Sequence, residues 1–254
     1  MFKHIKSPLV SIITPSFNCS STIEDTINSV MSQSFNDWEL IIVDDNSSDN
    51  SCDIIRSFSE KDSRVQLIER TWNAGPAIAR NIAIENAQGR YIAFLDSDDT
   101  WHKDKLVKQI AFMQRNEVEL SYTAYNRIDS EGNFLGTYKP LTKVTYRDML
   151  KSNRIGCLTA IYDTEKLGKV YMPNISKRQD LGLWLKILKK VDYAWGMDEV
   201  LADYLAVQPN SVSSNKLTAA KYQWRLYREI EKLTFKDSLY YFMNYAYLGV
   251  KKNK

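Results

Sequence analysis

Three carboxylates and a serine, Asp96-Ser97-Asp98-Asp99, follow directly on the apolar run Tyr91 to Leu95. A buried strand thus delivers a carboxylate cluster at its C-terminal end, which is where open α/β sheets bind ligands. Acids packed this closely repel one another and lose hydration, and a hard cation such as Mg²⁺ or Mn²⁺ among them offsets that cost. The chemistry such a cluster suits is metal-assisted reaction of a phosphorylated substrate. A polar turn capping the next helix uses the same residue types, so the surrounding elements must decide.

Leu9 to Thr14 is a short β-branched run ending at Pro15, a strand feeding the loop PSFNCS. Ser21 and Glu24 have capping-box spacing, and Ile23, Ile27, Val30 and Met31 then recur with helical period. A second unit repeats the pattern: strand Glu39 to Val43, polar turn DDNSSD, and a helix beginning over Cys52 to Phe58. Strand Val65 to Ile68, loop TWNAGP and a helix from Ala77 to Ala87, terminated by Gly89, make a third. Strands alternating with helices in this way predict a mostly parallel sheet covered on both faces, with the loops after successive strands on one edge.

Beyond the helix Asp104 to Asn116 the alternation weakens. Leu120 to Val144 reads as strands around a Glu131-Gly132-Asn133 turn, suggesting antiparallel additions. Then come a short helix, a strand at Leu158 to Tyr162, a helix from Gln179 to Lys189, and strand or loop to Val212. Residues 215–254 carry nine Lys/Arg against three Asp/Glu, whereas the whole chain of 254 residues is only +3, so the body is mildly acidic and the tail basic. Helical period over Lys216 to Leu233 and the aromatic stretch LYYFMNYAYLGV suit either a helix pair packed back on the domain or a basic segment lying on an anionic membrane surface. The membrane surface is the expectation. Cys19, Cys52 and Cys157 are few and odd in number, which fits free thiols in a reducing compartment. With neither a signal-peptide pattern nor eighteen consecutive apolar residues, the expected location is cytoplasmic.

Pro15 to Asn18, Asp44 with Asp45, Asn73 to Arg80, and Asp96 to Asp99 should all meet at one sheet edge, and a nucleoside diphosphate needs what such an edge offers. VSIITPSFN, ELIIVDDNSSD and NAGPAIARNIAIENAQGRYIAFLDSDD, in this order, resemble the nucleotide-binding half of family 2 glycosyltransferases with the GT-A fold, over about Val10 to Lys105. The resemblance continues more weakly at KRQDLGLWLKIL, where the family often carries Glu-Asp and this chain has Gln179-Asp180. It implies a GT-A domain over 1–214, donor half about 8–105 and acceptor half about 106–214, and the charge and period read above add a helical tail over 215–254.

The resemblance further implies that Pro15, Phe17 and Asp45 border the uracil of a UDP-sugar, with Asp45 accepting from its ring N–H. Arg80 would lie near the diphosphate, Asp96 and Ser97 on the ribose or metal side, and Asp98 as direct ligand of Mn²⁺ or Mg²⁺. Asp180 would be the general base that deprotonates the acceptor hydroxyl, inverting the anomeric centre. Gln179, Trp101 and Trp184 are candidates for the acceptor side. Trp195 is a further flat face, with core packing expected for at least two of these three tryptophans. His102 is a candidate for the diphosphate, and His4 has no evident role.

Asp96-Ser97-Asp98-Asp99-Thr100 also satisfies the D-x-D-x-T pattern of haloacid-dehalogenase-type phosphatases, but there the motif follows the first core strand, and here three strand-helix units precede it. A non-catalytic nucleotide-binding module is the other alternative. The activity that the resemblance implies is transfer of a hexose, glucose or galactose, from a UDP-sugar to a hydroxyl of a saccharide linked to undecaprenyl diphosphate, in O-antigen or capsule assembly. A β-1,3 linkage to an N-acetylglucosamine-type acceptor is the narrower expectation. The enzyme would sit peripherally on the inner face of the membrane, with no nucleic-acid partner.

Overall fold

Strands with apolar residues on both parities need cover on both faces, and the N-terminal half supplies it one helix at a time. β1 (Val10–Ser16) is followed by α1 (Ile23–Met31), β2 (Trp38–Asp44) by α2 (Ser51–Ser59) and β3 (Val65–Glu69) by α3 (Pro76–Asn86). β4 (Tyr91–Phe94) leads through the short β5 (Thr100–Trp101) to α4 (Lys105–Arg115). The computed structural model describes residues 7–206 and 216–251. His4, the expected continuation to Val212 and the last three residues lie outside them.

The second half is less regular. It runs β6 (Leu120–Ile128), β7 (Phe134–Tyr138), β8 (Lys143–Val144), α5 (Tyr146–Lys151), a 3₁₀ turn at Cys157–Thr159, β9 (Ile161–Asp163) and α6 (Thr164–Leu167). After these come α7 (Gln179–Ile187), β10 (Ala194–Leu205), α8 (Lys216–Arg225), a π turn at Leu226–Ile230 and α9 (Phe235–Lys251).

All these strands join one sheet in the order β3-β2-β1-β4-β9-β6-β10-β5, with β7 on β6 and β8 on β10. From β3 to β4 every pairing is parallel, but β9 is antiparallel to both β4 and β6, and β5, β7 and β8 also pair antiparallel. The sheet is therefore parallel in its first half, as expected, and mixed overall, because the antiparallel additions expected over Leu120 to Val144 extend to β5 and β9 as well. A tight turn over Asp129–Asn133, with Gly132 at φ +81°, joins β6 to β7 and admits only an antiparallel neighbour.

Side chains alternate across this sheet. Val10, Ile12, Leu40, Ile42, Tyr91 and Ala93 meet α1, α2 and α4 on one face, while Ile13, Ile41, Val43, Ile92 and Phe94 meet α3, α5 and α7 on the other. Pro15 lies beyond Ile13, the last β1 residue paired with β4, so its missing N–H breaks no ladder bond. Gly89 does not cap α3 in a left-handed conformation as the sequence suggests, because Ala87 holds the C-cap in extended geometry. What demands glycine is space: a Cβ there would stand 2.6 Å from the Ser11 backbone nitrogen.

The capping box expected from Ser21 and Glu24 is not formed. α1 begins one residue later, with Thr22 as N-cap and no side-chain cap bond. The Thr22 hydroxyl donates instead to the Ser97 carbonyl, at 2.8 Å.

In the tail, α8 and α9 pack back on the domain. Leu226 and Tyr227 are wholly buried in the core shared with α5 and α7, and Trp224 of α8 meets Phe242 of α9 edge to face at 5.5 Å. The opposite side of α9 stays outside: Leu239, Tyr240, Met243 and Tyr247 are exposed. Among the described residues no helix is long and apolar enough to cross a membrane.

Candidate active site

Loops after β1, β2 and β4 converge on the C-terminal edge of the parallel strands, and side-chain bonds to backbone fix each one. Asp44 accepts from the Ser16 hydroxyl at 2.9 Å and from the Ser47 N–H at 2.8 Å, tying the first loop to the second. Asp49 accepts from the Ser20 N–H at 3.0 Å and from Ser51; burial works against its charge, yet these bonds hold it down at about 2. Asp45, buried, accepts from the Ala74 N–H at 3.1 Å and the Gly75 N–H at 2.6 Å and pairs with Arg70.

The acidic tetrad does not act as one cluster. Asp99 turns inward, 2 % exposed, and accepts from the Leu205 N–H of β10 at 3.0 Å; burial and the neighbouring charges of Asp98 and Asp96 raise its pKa well above the carboxylate range. Its carbonyl is held by the Thr26 hydroxyl at 2.9 Å. Asp96 and Asp98 remain at the surface of a cleft of about 640 Å³. Burial and the adjacent Asp96 charge push Asp98 up to about 6, so this position favours an added positive charge. Arg80 of α3, buried, pairs with Asp96; burial opposes its charge, but the carboxylates of Asp96 and Asp180 hold it protonated.

Among the described residues no group of three or more His, Cys, Asp or Glu side chains is arranged to hold a metal. Two carboxylates do suffice for a Mg²⁺-like ion when substrate phosphates and water complete the shell. Asp98, with the Asp96 oxygen that Arg80 leaves unpaired, fits that donor set.

Across the cleft stands the first turn of α7. Gln179 and Asp180 both line the same cavity as Pro15, Phe17, Asp45, Ser97 and Asp98, and the Asn153 side chain donates to Asp180 at 2.8 Å. Phe17 is half exposed there, with its ring open to a ligand. The fold thus brings together residues more than eighty positions apart.

Other expected residues lie elsewhere. Trp184 is wholly buried, edge to face with Phe94 at 5.5 Å, and Trp101 is 4 % exposed with its indole N–H bonded to the Leu158 carbonyl at 2.8 Å. Neither presents a face to a sugar, because each fills the core between sheet and helix, and Trp195 does not line the cleft. His102 faces Asp203 at 2.9 Å rather than the cleft, and that hydrogen bond raises its pKa. Residues not anticipated from the sequence include Tyr204 at the end of β10, whose phenol burial and the acidic loop push up to about 12, and Cys157, kept a thiol by burial and by Asp96. Thr22, Thr26 and Asn153 act through bonds that bridge distant elements. No local signal marks them.

Residues 11–164, more than half of the chain, match the family described as glycosyl transferase family 2. The chain belongs to that family. It is 49% identical over 246 residues to TuaG of Bacillus subtilis, a glycosyltransferase assigned by name to teichuronic acid biosynthesis, covering 96% of this chain and 97% of that one. It is 38% identical over 245 residues to WfgD of Escherichia coli, named a UDP-Glc:alpha-D-GlcNAc-diphosphoundecaprenol beta-1,3-glucosyltransferase, covering 96% and 95% of the two chains. Among solved structures, S. aureus TarS 1-349 in complex with UDP-GlcNAc superposes with a TM-score of 0.71 at 20% identity, over 93% of this chain and 71% of that one. The mannosyltransferase PcManGT from Pyrobaculum calidifontis, solved with GDP-Man and Mn2+, gives 0.66 at 19% over 93% and 69%. These likenesses establish the GT-A fold, and the phosphatase and non-catalytic alternatives fall away.

Proposed function

We propose that this glycosyltransferase moves a hexose, glucose by the names of its Escherichia coli relatives, from a UDP-sugar to a hydroxyl of N-acetylglucosamine carried on undecaprenyl diphosphate. The observation that carries the proposal is a single cleft lined from one half by Asp96 and Asp98 and from the other by Asp180. Phe17 and Pro15 would cover the uracil, and Asp45 would accept from its ring N–H. Asp98 and Asp96 would hold a divalent ion, which when bound neutralises the charge developing on the departing diphosphate. Arg80, kept charged beside Asp96, adds a fixed positive field at the same end of the cleft.

An acceptor hydroxyl is a weak nucleophile at neutral pH, so a carboxylate within hydrogen-bond reach must take its proton. Asp180 has that part, oriented by the Asn153 amide, and attack from its side on C1 inverts the anomeric centre. Gln179 beside it gives the acceptor a neutral partner where an acid is common in the family. The exposed apolar stripe of α9, with Lys232, Lys236 and Arg147 exposed beside it, supports a peripheral position on an anionic membrane surface. A panel of UDP-sugars assayed for slow donor hydrolysis, then for transfer to a short alkyl-diphosphate-linked N-acetylglucosamine, tests the reading. Hydrolysis and transfer with UDP-glucose are expected. Absence of transfer with any UDP-hexose would overturn it.

A further inference from the structure

Resting on that acceptor class, we propose that Arg178, with Lys177, forms the subsite for the diphosphate joining the acceptor sugar to its lipid, and that Tyr245 of α9 positions the arginine. In such an acceptor the reacting hydroxyl and the phosphates lie at opposite ends of one sugar ring. A phosphate-reading group therefore has to stand close to the general base. Lys177 and Arg178 line the cleft and immediately precede Gln179 and Asp180.

Arg178, in the acceptor half, differs from four arginines of the donor half. Arg64, Arg70, Arg80 and Arg90 each pair with a carboxylate, of Asp62, Asp45, Asp96 and Asp163 respectively. Among the described residues Arg178 pairs with none; its Nη2 donates to the Tyr245 hydroxyl at 2.9 Å, and its Nε, buried, meets no acceptor. A guanidinium whose charge is not cancelled, on the wall of a cleft, is the group best shaped to fork a phosphate. The backbone supports this reading. Arg178 holds the N-cap of α7 in the left-handed region, φ 68° and ψ 17°, which glycine or asparagine adopts with less strain. Strain of this kind at the mouth of a cleft marks functional positions.

Tyr245 also lies beneath the arginine, its ring centroid 5.5 Å from Cζ, on the inner side of the helix whose outer side exposes Leu239, Tyr240, Met243 and Tyr247. One helix would thus face the lipid surface with one side and set the diphosphate-reading arginine with the other. A lipid-linked acceptor needs both contacts at once.

The donor also carries a diphosphate, so the test must separate the two. Initial rates are measured with the full chain on two acceptors: N-acetylglucosamine joined to a short alkyl chain through an α-diphosphate, and the alkyl α-glycoside without it. The wild type should favour the diphosphate by about tenfold or more in KM. K177A/R178A should abolish that preference while leaving the KM for the UDP-sugar in donor hydrolysis unchanged. Arg178→Lys, which keeps the charge and the fold, should retain part of the preference, and Tyr245→Phe should lose a few-fold of it. A preference that survives in K177A/R178A and in Arg178→Lys at full strength would overturn the subsite, as would a parallel rise in donor KM. Wild-type transfer that ignores the diphosphate also rejects it while sparing the proposed hexosyl transfer. No transfer to either acceptor rejects both.

Discussion

The two walls of the cleft are built in opposite ways. On the side proposed for the donor, four parallel strands end at one edge, and the carboxylates at the end of β2, Asp44, Asp45 and Asp49, bond to backbone and hydroxyl groups of this and neighbouring loops. On the side proposed for the acceptor, Asp180 sits on a helix that starts from a left-handed arginine, held by Asn153 from the segment after α5 and by Tyr245 from the tail. A binding wall can be stiff before its ligand arrives. The wall proposed to react depends on elements assembled late in the chain, and this includes the tail, so on that proposal donor binding and sugar transfer should be separable by mutation.

The sharpest test of that separation is Asp180→Asn. Transfer should fall about 10²–10⁴-fold, the usual worth of a positioned general base, while calorimetry records unaltered UDP binding. Loss of both together would mean that the walls are one unit. Asp98→Ala tests the other wall: the Mn²⁺-dependent gain in UDP affinity, several kcal/mol where an ion neutralises a diphosphate, should vanish and chelation of the wild type should mimic it. Binding that ignores the substitution would remove Asp98 from any metal role.

Stiffness of the donor wall can be probed without touching the cleft. Gly89→Ala forces a Cβ to within 2.6 Å of the Ser11 nitrogen in β1. We expect a cost of about 1–3 kcal/mol, read as a lower melting temperature, with the ratio of transfer to donor hydrolysis unchanged. Replacing Tyr240, Met243 and Tyr247 together by serine should weaken co-sedimentation with anionic vesicles about tenfold and spare turnover of a soluble acceptor. Undiminished sedimentation would leave α9 as a packing helix alone. The smallest effect belongs to Trp184→Phe, where a shift of about 1 kcal/mol in stability with an unchanged acceptor KM is expected. A raised KM would return this tryptophan to the acceptor side.

Much of the donor wall was legible in the chain. Strand, loop and helix follow one another there within single units, so apolar period and turn residues at Pro15, Asp45 and Asp96 translate directly into position. Antiparallel additions were legible around the Glu131-Gly132-Asn133 turn, but the place of β9 was not, because it pairs with β4 and β6 by contacts that no run of residues announces. The tryptophans misled for a related reason: an aromatic ring suits a sugar and a core equally, and only burial separates the two for Trp101 and Trp184.

Local pattern was enough for the strand-loop-helix units of the first half, the carboxylates at their edge and the family to which they belong, since period, turn chemistry and motif spacing act over a few residues. Folding in three dimensions was needed to turn Asp99 away from its neighbours, to set Asp180 opposite Asp98, and to lay a tail helix under Arg178. Those arrangements come from long-range contacts, whose partners are chosen by shape and burial across the whole chain.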